Sequence, residues 1–206
     1  METEVFLVRH GETEWNKEKR FQGHRDVPLS ERGEKQAEQL AHYFKHHSFD
    51  AVYASDLLRA RQTAERVANE LGLPVTCLTE LRERYVGEWE GLTLEEIKSK
   101  YPDWEKVRLT GGMYGVEPME QVQARFADKC IELAKKHLGE RILIVAHGLC
   151  MNVAISFLTN GEYGYDKERL QNTSITHLVY HENDGWTVKA YNATPHLPGE
   201  DTNFRL

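Results

Sequence analysis

Two histidines stand where apolar runs end. "VFLV" leads into Arg9-His10-Gly11, and "ILIVA" leads into His147-Gly148. An imidazole can attack phosphorus or carbon, move a proton or bind a metal. One histidine at a strand exit is ordinarily a polar group leaving the core, but two with the same grammar point to one site. In open α/β sheets, ligands bind beyond the carboxyl ends of the strands, where loops enter helix N-termini. The glycine after each histidine lets the backbone turn sharply and approach a ligand closely. The stretch "YASDLLRARQTA" adds a helix start with Ser55 or Asp56 at the cap and Arg59 in the first turn. An anion there meets both the helix dipole and a guanidinium fork. Arg61, two positions on, faces elsewhere. Arg9, Arg59, His10 and His147 therefore make a dianion site. If that dianion is a phosphate ester to be cleaved, the leaving alkoxide needs a proton. "ELRERYVGEWEG" offers Glu80, Glu83, Glu88 and Glu90, and composition alone does not choose among them.

The elements that must position these groups alternate between strand and helix patterns. "EVFLVRH" is a strand. Ser30 caps a helix in which Ala37, Leu40, Ala41 and Phe44 share a face. "DAVYAS" is a second strand, followed by a helix from about Asp56 to Leu71 that Gly72 and Pro74 stop. "PVTCL" is a third. Thr93-Leu94-Glu95-Glu96 is a capping box opening a short helix that ends near Pro102. Pro118 suits a first helical turn, and the helix after it runs to about Leu138 with Val122, Phe126, Cys130, Leu133 and Ala134 inward. "RILIVAH" is a fourth strand and "LCMNVAISFL" a mostly apolar helix. "SITHLVYH" and "GWTVKAY" form a closing hairpin. Strands separated by helices predict a three-layer α/β/α sandwich around a mostly parallel sheet. "VFLV" and "ILIV" lack polar alternation, so they are predicted as central strands covered on both faces. Residues 1–206 read as one domain. A segment of weak periodicity from about 84 to 118, with Trp89 and Trp104, reads as an inserted cap.

Composition narrows the function further. The chain has 206 residues, 40% of them hydrophobic, and a formal charge of −7. That charge argues against a nucleic-acid binder, so any anionic ligand must find a local positive pocket. No apolar run approaches the ~20 residues of a membrane span, and Glu2 and Glu4 spoil the basic start of a signal peptide, so a cytoplasmic protein is expected. Three cysteines, Cys77, Cys130 and Cys150, fit reduced thiols packed in core elements. None has arginine six positions on, which excludes the Cys-x5-Arg phosphatase pattern. His42 and His46, four apart on a helix, lack a carboxylate partner and read as a solvated face rather than a metal site.

Five blocks in series, "LVRHGETEWN", "FQGHRDVPLSERGEKQA", "YASDLLRARQTAE", "LRERYVGEWEG" and "ILIVAHG", resemble the histidine phosphatase superfamily, the phosphoglycerate mutase-like fold, over about residues 4 to 155. The nearest resemblance is to its small bacterial broad-specificity phosphatases. It implies that His10 is the nucleophile that becomes phosphohistidine, and that Arg9, Arg59 and His147 complete the phosphate pocket. Asn16, Gln22 and Gly23 match a loop that touches the phosphoryl group, and Gly148 is counted with them as substrate-binding. Glu83 matches the proton donor, and Asn172-Thr173-Ser174 resembles a segment returning to the pocket rim. The resemblance implies no metal and no cofactor, and a small phosphorylated substrate as partner; neither nucleic acid nor membrane is expected, and a homodimer is allowed for. A phosphoglycerate mutase is the competing expectation, and a phosphatase acting on a cobalamin-precursor nucleotide of the alpha-ribazole type is another. Mutases of this kind carry Glu-x-His-Tyr-Gly, where this chain has Glu83-Arg84-Tyr85-Val86-Gly87. The basic residues of the cap, Arg84, Lys98, Lys100, Lys106 and Arg108, are expected to face solvent.

Overall fold

A computed structural model describes residues 1–199. In chain order the elements are β1 (Glu2–Arg9), α1 (Glu14–Lys17), α2 (Glu31–Phe44), β2 (Ala51–Ser55), α3 (Leu58–Leu71), β3 (Val75–Leu78), α4 (Leu94–Lys100), α5 (Trp104–Thr110), α6 (Met119–Lys136), β4 (Arg141–Ala146), α7 (Gly148–Leu158), β5 (Ile175–His181) and β6 (Gly185–Ala193). The strands form one six-stranded sheet in the order β3-β2-β4-β1-β5-β6. β1 to β4 run parallel to their neighbours within that set, and the β5–β6 hairpin adds two antiparallel strands. The two purest apolar runs, β1 and β4, lie side by side at the centre, as expected for strands buried on both faces.

Alternation along these strands feeds two cores. Val5 and Leu7 face the layer of α6 and α7, joining Phe126, Cys130, Met151 and Ile155. Phe6 and Val8 face the layer of α2 and α3, joining Leu40, Phe44, Ala64 and Val67. A third cluster, Val86, Trp89, Ile97, Val107 and Val116, is built by the segment carrying α4 and α5, with Phe21 and Trp104 packed against it.

Helix starts depart from the sequence reading in two places. α3 begins after Leu57, which makes no side-chain cap. Ser55 and Asp56, expected as caps, are engaged elsewhere: Ser55 with His147, and Asp56 with Arg82. Pro118 stands one step outside α6, at its N-cap. Cys130 and Cys150 are buried, whereas Cys77 is exposed on the edge strand β3, against the expectation that all three pack inside. Burial pushes the Cys130 thiol up to about 12. His42 on α2 lines a shallow pocket with Glu38 and Tyr43 of the same helix and with His196 from beyond β6, and among the described residues no three metal-ligating side chains come together. No helix among the described residues is long and apolar enough to cross a membrane.

Candidate active site

The site forms where β1 and β4 end. Their parallel register pairs Arg9 with Ala146, so the next residue on each strand is a histidine. The rings of His10 and His147 meet edge to face with centroids 5.2 Å apart. His10 is 2% exposed, and its Nδ1 lies 2.6 Å from the Gly11 carbonyl oxygen. A carbonyl only accepts, so Nδ1 carries the proton and Nε2 keeps a free lone pair. Burial, then the charges of Arg59 and Arg9, hold the His10 imidazole well below its usual range. Neutrality and a bare Nε2 are what a nucleophilic imidazole requires.

His147 is fully buried against His10 and is not part of the cavity wall. Its Nε2 is 2.8 Å from Ser55 Oγ, and its Nδ1 has no hydrogen-bond partner. Burial, with Arg59 next, holds this imidazole well below its usual range, so the ring is neutral as well.

The guanidinium groups of Arg9 and Arg59 are buried beside these rings. Arg9 Nη1 donates to the Leu170 carbonyl, and Arg59 donates through Nη1 to Arg25 and through Nη2 to Gly23. The Nε of each is buried without a partner. Burial brings both down to about 10, so both remain cationic at neutral pH. Unpartnered buried donors are costly, and here both belong to side chains that line one cavity with His10. An oxyanion satisfies all of them at once.

Of the four candidate carboxylates only Glu83 lines the cavity. Glu80 pairs with Lys129, Glu90 with Arg25, and Glu88 lies near the Tyr101 hydroxyl. Glu83 Oε1 accepts from the backbone N–H groups of Arg84 and Cys150, and Oε2 from that of Leu149. Leu149 and Cys150 belong to the first turn of α7, whose own N-cap residue, His147, offers no side-chain cap. Glu83 thus supplies acceptors that this helix start lacks.

The loop residues expected from the sequence are present. Asn16, Gln22, Gly23 and Gly148 all line the cavity. Asn16 Oδ1 is used by Thr13 N–H and Asn172 Nδ2, and Gln22 Oε1 accepts from the Thr13 hydroxyl. A Cβ at Gly23, where φ is +53°, would stand 2.7 Å from Val86 Cγ2. At Gly148 it would crowd Arg9 Nε at 3.2 Å. Asn172-Thr173-Ser174 reaches the site from behind: Asn172 Nδ2 donates to the His10 carbonyl, and Thr173 N–H to that of Arg9.

The cavity, about 710 Å³, has an apolar wall from Trp15, Phe21, Trp89, Leu94 and Leu149. Trp104 packs against the third core cluster and does not line it. Eight cationic side chains line the cavity against three acids, which makes the local positive pocket that a chain of charge −7 needs. Sequence reading missed part of this. Arg84 is buried, donating to the carbonyls of Glu117, Arg108 and Val107, so it is not the solvent-facing cap residue expected, whereas Arg108 is exposed as expected and also borders the cavity. The loop with Tyr165, Lys167 and Arg169 also walls the site. It belongs to no helix or strand, so no periodicity marked it; only its basic residues could have drawn notice.

The family described as histidine phosphatase superfamily (branch 1) matches residues 5–194. The chain is 34% identical to an uncharacterized phosphatase, PhoE, of Bacillus subtilis, over 96% of this chain and 98% of that protein. It is 34% identical to phosphoglycerate mutase-like protein 4 of Arabidopsis thaliana, over 98% and 89% of the two chains. Among solved structures, a phosphoserine phosphatase mutant of Entamoeba histolytica with phosphoserine bound is similar, with TM-score 0.83 and 30% identity over 95% of this chain and 99% of that one.

Proposed function

Because the chain belongs to the histidine phosphatase superfamily, we propose that it is a phosphomonoesterase cleaving small phosphorylated metabolites through a phosphohistidine on His10. The observation that carries this reading is that a neutral His10 with a bare Nε2 lines one cavity together with Arg9 and Arg59, each of which keeps a buried, unpartnered guanidinium nitrogen. Nε2 attacks phosphorus while Arg9 and Arg59 neutralise the equatorial oxygens. Neutral His147 is read as a further donor through Nδ1, with the Ser55 hydroxyl donating to Nε2. As the ester bond breaks, Glu83 gives a proton to the leaving oxygen. Its carboxylate then takes a proton from the water that attacks phosphohistidine, releasing inorganic phosphate and restoring His10. Asn16, Gln22 and the backbone at Gly23 and Gly148 frame the phosphoryl group. No metal is required on this reading, because the guanidinium groups supply the charge. Activity is expected to survive excess EDTA.

Residues 84–118 are read as a cap inserted in a single domain, contributing Val86, Trp89, Leu94 and Arg108 to the wall. Lys19, Arg108, Lys167 and Arg169 line the same cavity and suit a substrate with a second anionic group, such as a phosphorylated carboxylic acid. Those cations also favour a second reading, a mutase that retains its phosphorylated product, and the resemblance to a mutase-like relative keeps it in view.

One experiment tests the proposal. With 3-phosphoglycerate and catalytic 2,3-bisphosphoglycerate, the protein should release inorganic phosphate and form little 2-phosphoglycerate, and quenched enzyme should carry an acid-labile, base-stable phosphoryl group absent from His10→Ala. Isomerisation outrunning phosphate release about tenfold, some 1.4 kcal/mol between competing barriers, favours the mutase. A label on cysteine or serine removes His10 from its role.

A further inference from the structure

The backbone that carries Glu83 lies between a short 3-10 turn at Thr79–Leu81 and a second at Gly87–Trp89, outside any helix or strand that could hold it. A general acid on such a segment needs another fixture. Arg125 on α6 meets the segment with its whole guanidinium. Nη1 donates to the carbonyls of Glu80 (2.9 Å) and Arg82 (2.7 Å), and Nη2 to that of Glu83 (3.0 Å). Its remaining donors go to Glu117, Nε to Oε1 at 2.8 Å and Nη2 to Oε2 at 2.9 Å. These bonds match the five N–H groups of a guanidinium, so none is left over.

Glu117 closes the arrangement from the other side. Its Oε2 accepts the Tyr85 N–H, its backbone N–H donates to the Tyr85 carbonyl, and its own carbonyl takes Arg84 Nε. His24 Nε2 adds a bond to the Glu83 carbonyl at 2.7 Å. Arg125 does not itself line the cavity, and of the residues that do it hydrogen-bonds Glu83, at the backbone carbonyl. A surface ion pair would need one carboxylate; a fork that holds three backbone carbonyls within four residues does something else. It fixes where the Glu83 side chain starts, while the α7 amides fix where its carboxylate ends.

We propose that Arg125, braced by Glu117, is the positioning residue that sets Glu83 for proton transfer. This rests on the reading of Glu83 as the acid and base. A lysine has no planar fork and cannot replace it. Displacing Glu83 impairs protonation of poor leaving groups and spares good ones, whereas general loosening of the fold slows all substrates alike.

The test is a leaving-group series, p-nitrophenyl, phenyl and benzyl phosphate, in which ring size is nearly constant and leaving-group basicity rises. For Arg125→Met and Arg125→Lys, kcat/KM on benzyl phosphate should fall about tenfold or more, within the ~10²–10⁴ that general acid catalysis contributes, while p-nitrophenyl phosphate loses less than about threefold. Glu117→Gln should move the series the same way by less. Arg125→Met added to Glu83→Gln should cost nothing further. Equal losses across the series, or losses that multiply in the double variant, overturn the proposal. Should Arg125→Met fail to fold, as circular dichroism and a melt would show, Glu117→Gln and Arg125→Lys decide it by the same slope. If Glu83→Gln itself lacks leaving-group dependence, the acid reading fails first, which is distinct from an intact Glu83 effect that Arg125 does not share.

Discussion

On the proposed reading, a histidine nucleophile among arginines is kept ready by its own surroundings. The arginines needed for the phosphoryl oxygens also disfavour the imidazolium, and burial acts in the same direction. His10 is thereby kept neutral, and the Gly11 carbonyl chooses the tautomer. The sign of the consequence is fixed. The unfolded chain takes up protons as pH falls through the ordinary imidazole range of ~6.5, and the folded chain does not. The stability tied to neutral His10 and His147 is fully present above that range and is lost as pH falls below it. Long-range proton–nitrogen NMR of the imidazoles should find His10 protonated on Nδ1 and bare on Nε2, with no titration as pH is lowered through about 6.5. A midpoint near that value, or a proton on Nε2, would contradict the assignment. Much of this pair was legible in the sequence, because strand grammar brought His10 and His147 to adjacent strand ends. The charge of His147 was not, since it depends on burial that no local pattern encodes.

Loop elements carry the second part of the site, and Gly23 is where their fit is tightest. Its φ of +53° is a left-handed conformation, costing roughly 1–2 kcal/mol for a residue with a Cβ. That Cβ would also press on Val86 and on Glu90 Oε1, while the Gly23 carbonyl holds Arg59 Nη2. Gly72, the C-cap of α3, has φ +69° with open space around it. Gly23→Ala should therefore lower both Tm and kcat/KM, the latter by about tenfold through the displaced Arg59 (~1.4 kcal/mol). Gly72→Ala should lower Tm alone, by about 2–8 °C at this chain length. Unchanged activity in Gly23→Ala would detach this loop from the phosphate pocket. Periodicity found the strands and the amphipathic helices, with ends off by a residue or two. It could not tell that Ser55 also reaches His147 and that Asp56 turns to Arg82, because those partners are distant in sequence. Glu83 was separable from Glu80, Glu88 and Glu90 only by resemblance, and the physical reason lies in α7, whose first-turn amides it meets across more than sixty positions.

At the scale of the whole molecule, an acidic chain keeps a cation-rich cavity whose two innermost guanidinium groups are buried with donors unmet. Each such donor and charge costs the folded state. A ligand that supplies the missing acceptors binds only the native chain and shifts the unfolding equilibrium by mass action. Inorganic phosphate at about 100 times its Kd adds ~2.7 kcal/mol, and a chain of this length converts each kcal/mol into ~2–4 °C, so Tm should rise by about 5–10 °C. Phosphate also stabilises proteins generally by exclusion from their surface, so the size of the rise is not sufficient by itself. The discriminating control is Arg59→Met, which removes one of the two guanidinium groups while leaving the surface unchanged. In that variant the increment should collapse to a small rise that keeps growing with phosphate concentration without saturating. A rise of equal size and saturation in the variant would mean that the anion acts elsewhere, and the pocket at the ends of β1 and β4 would lose its claim to the phosphoryl group.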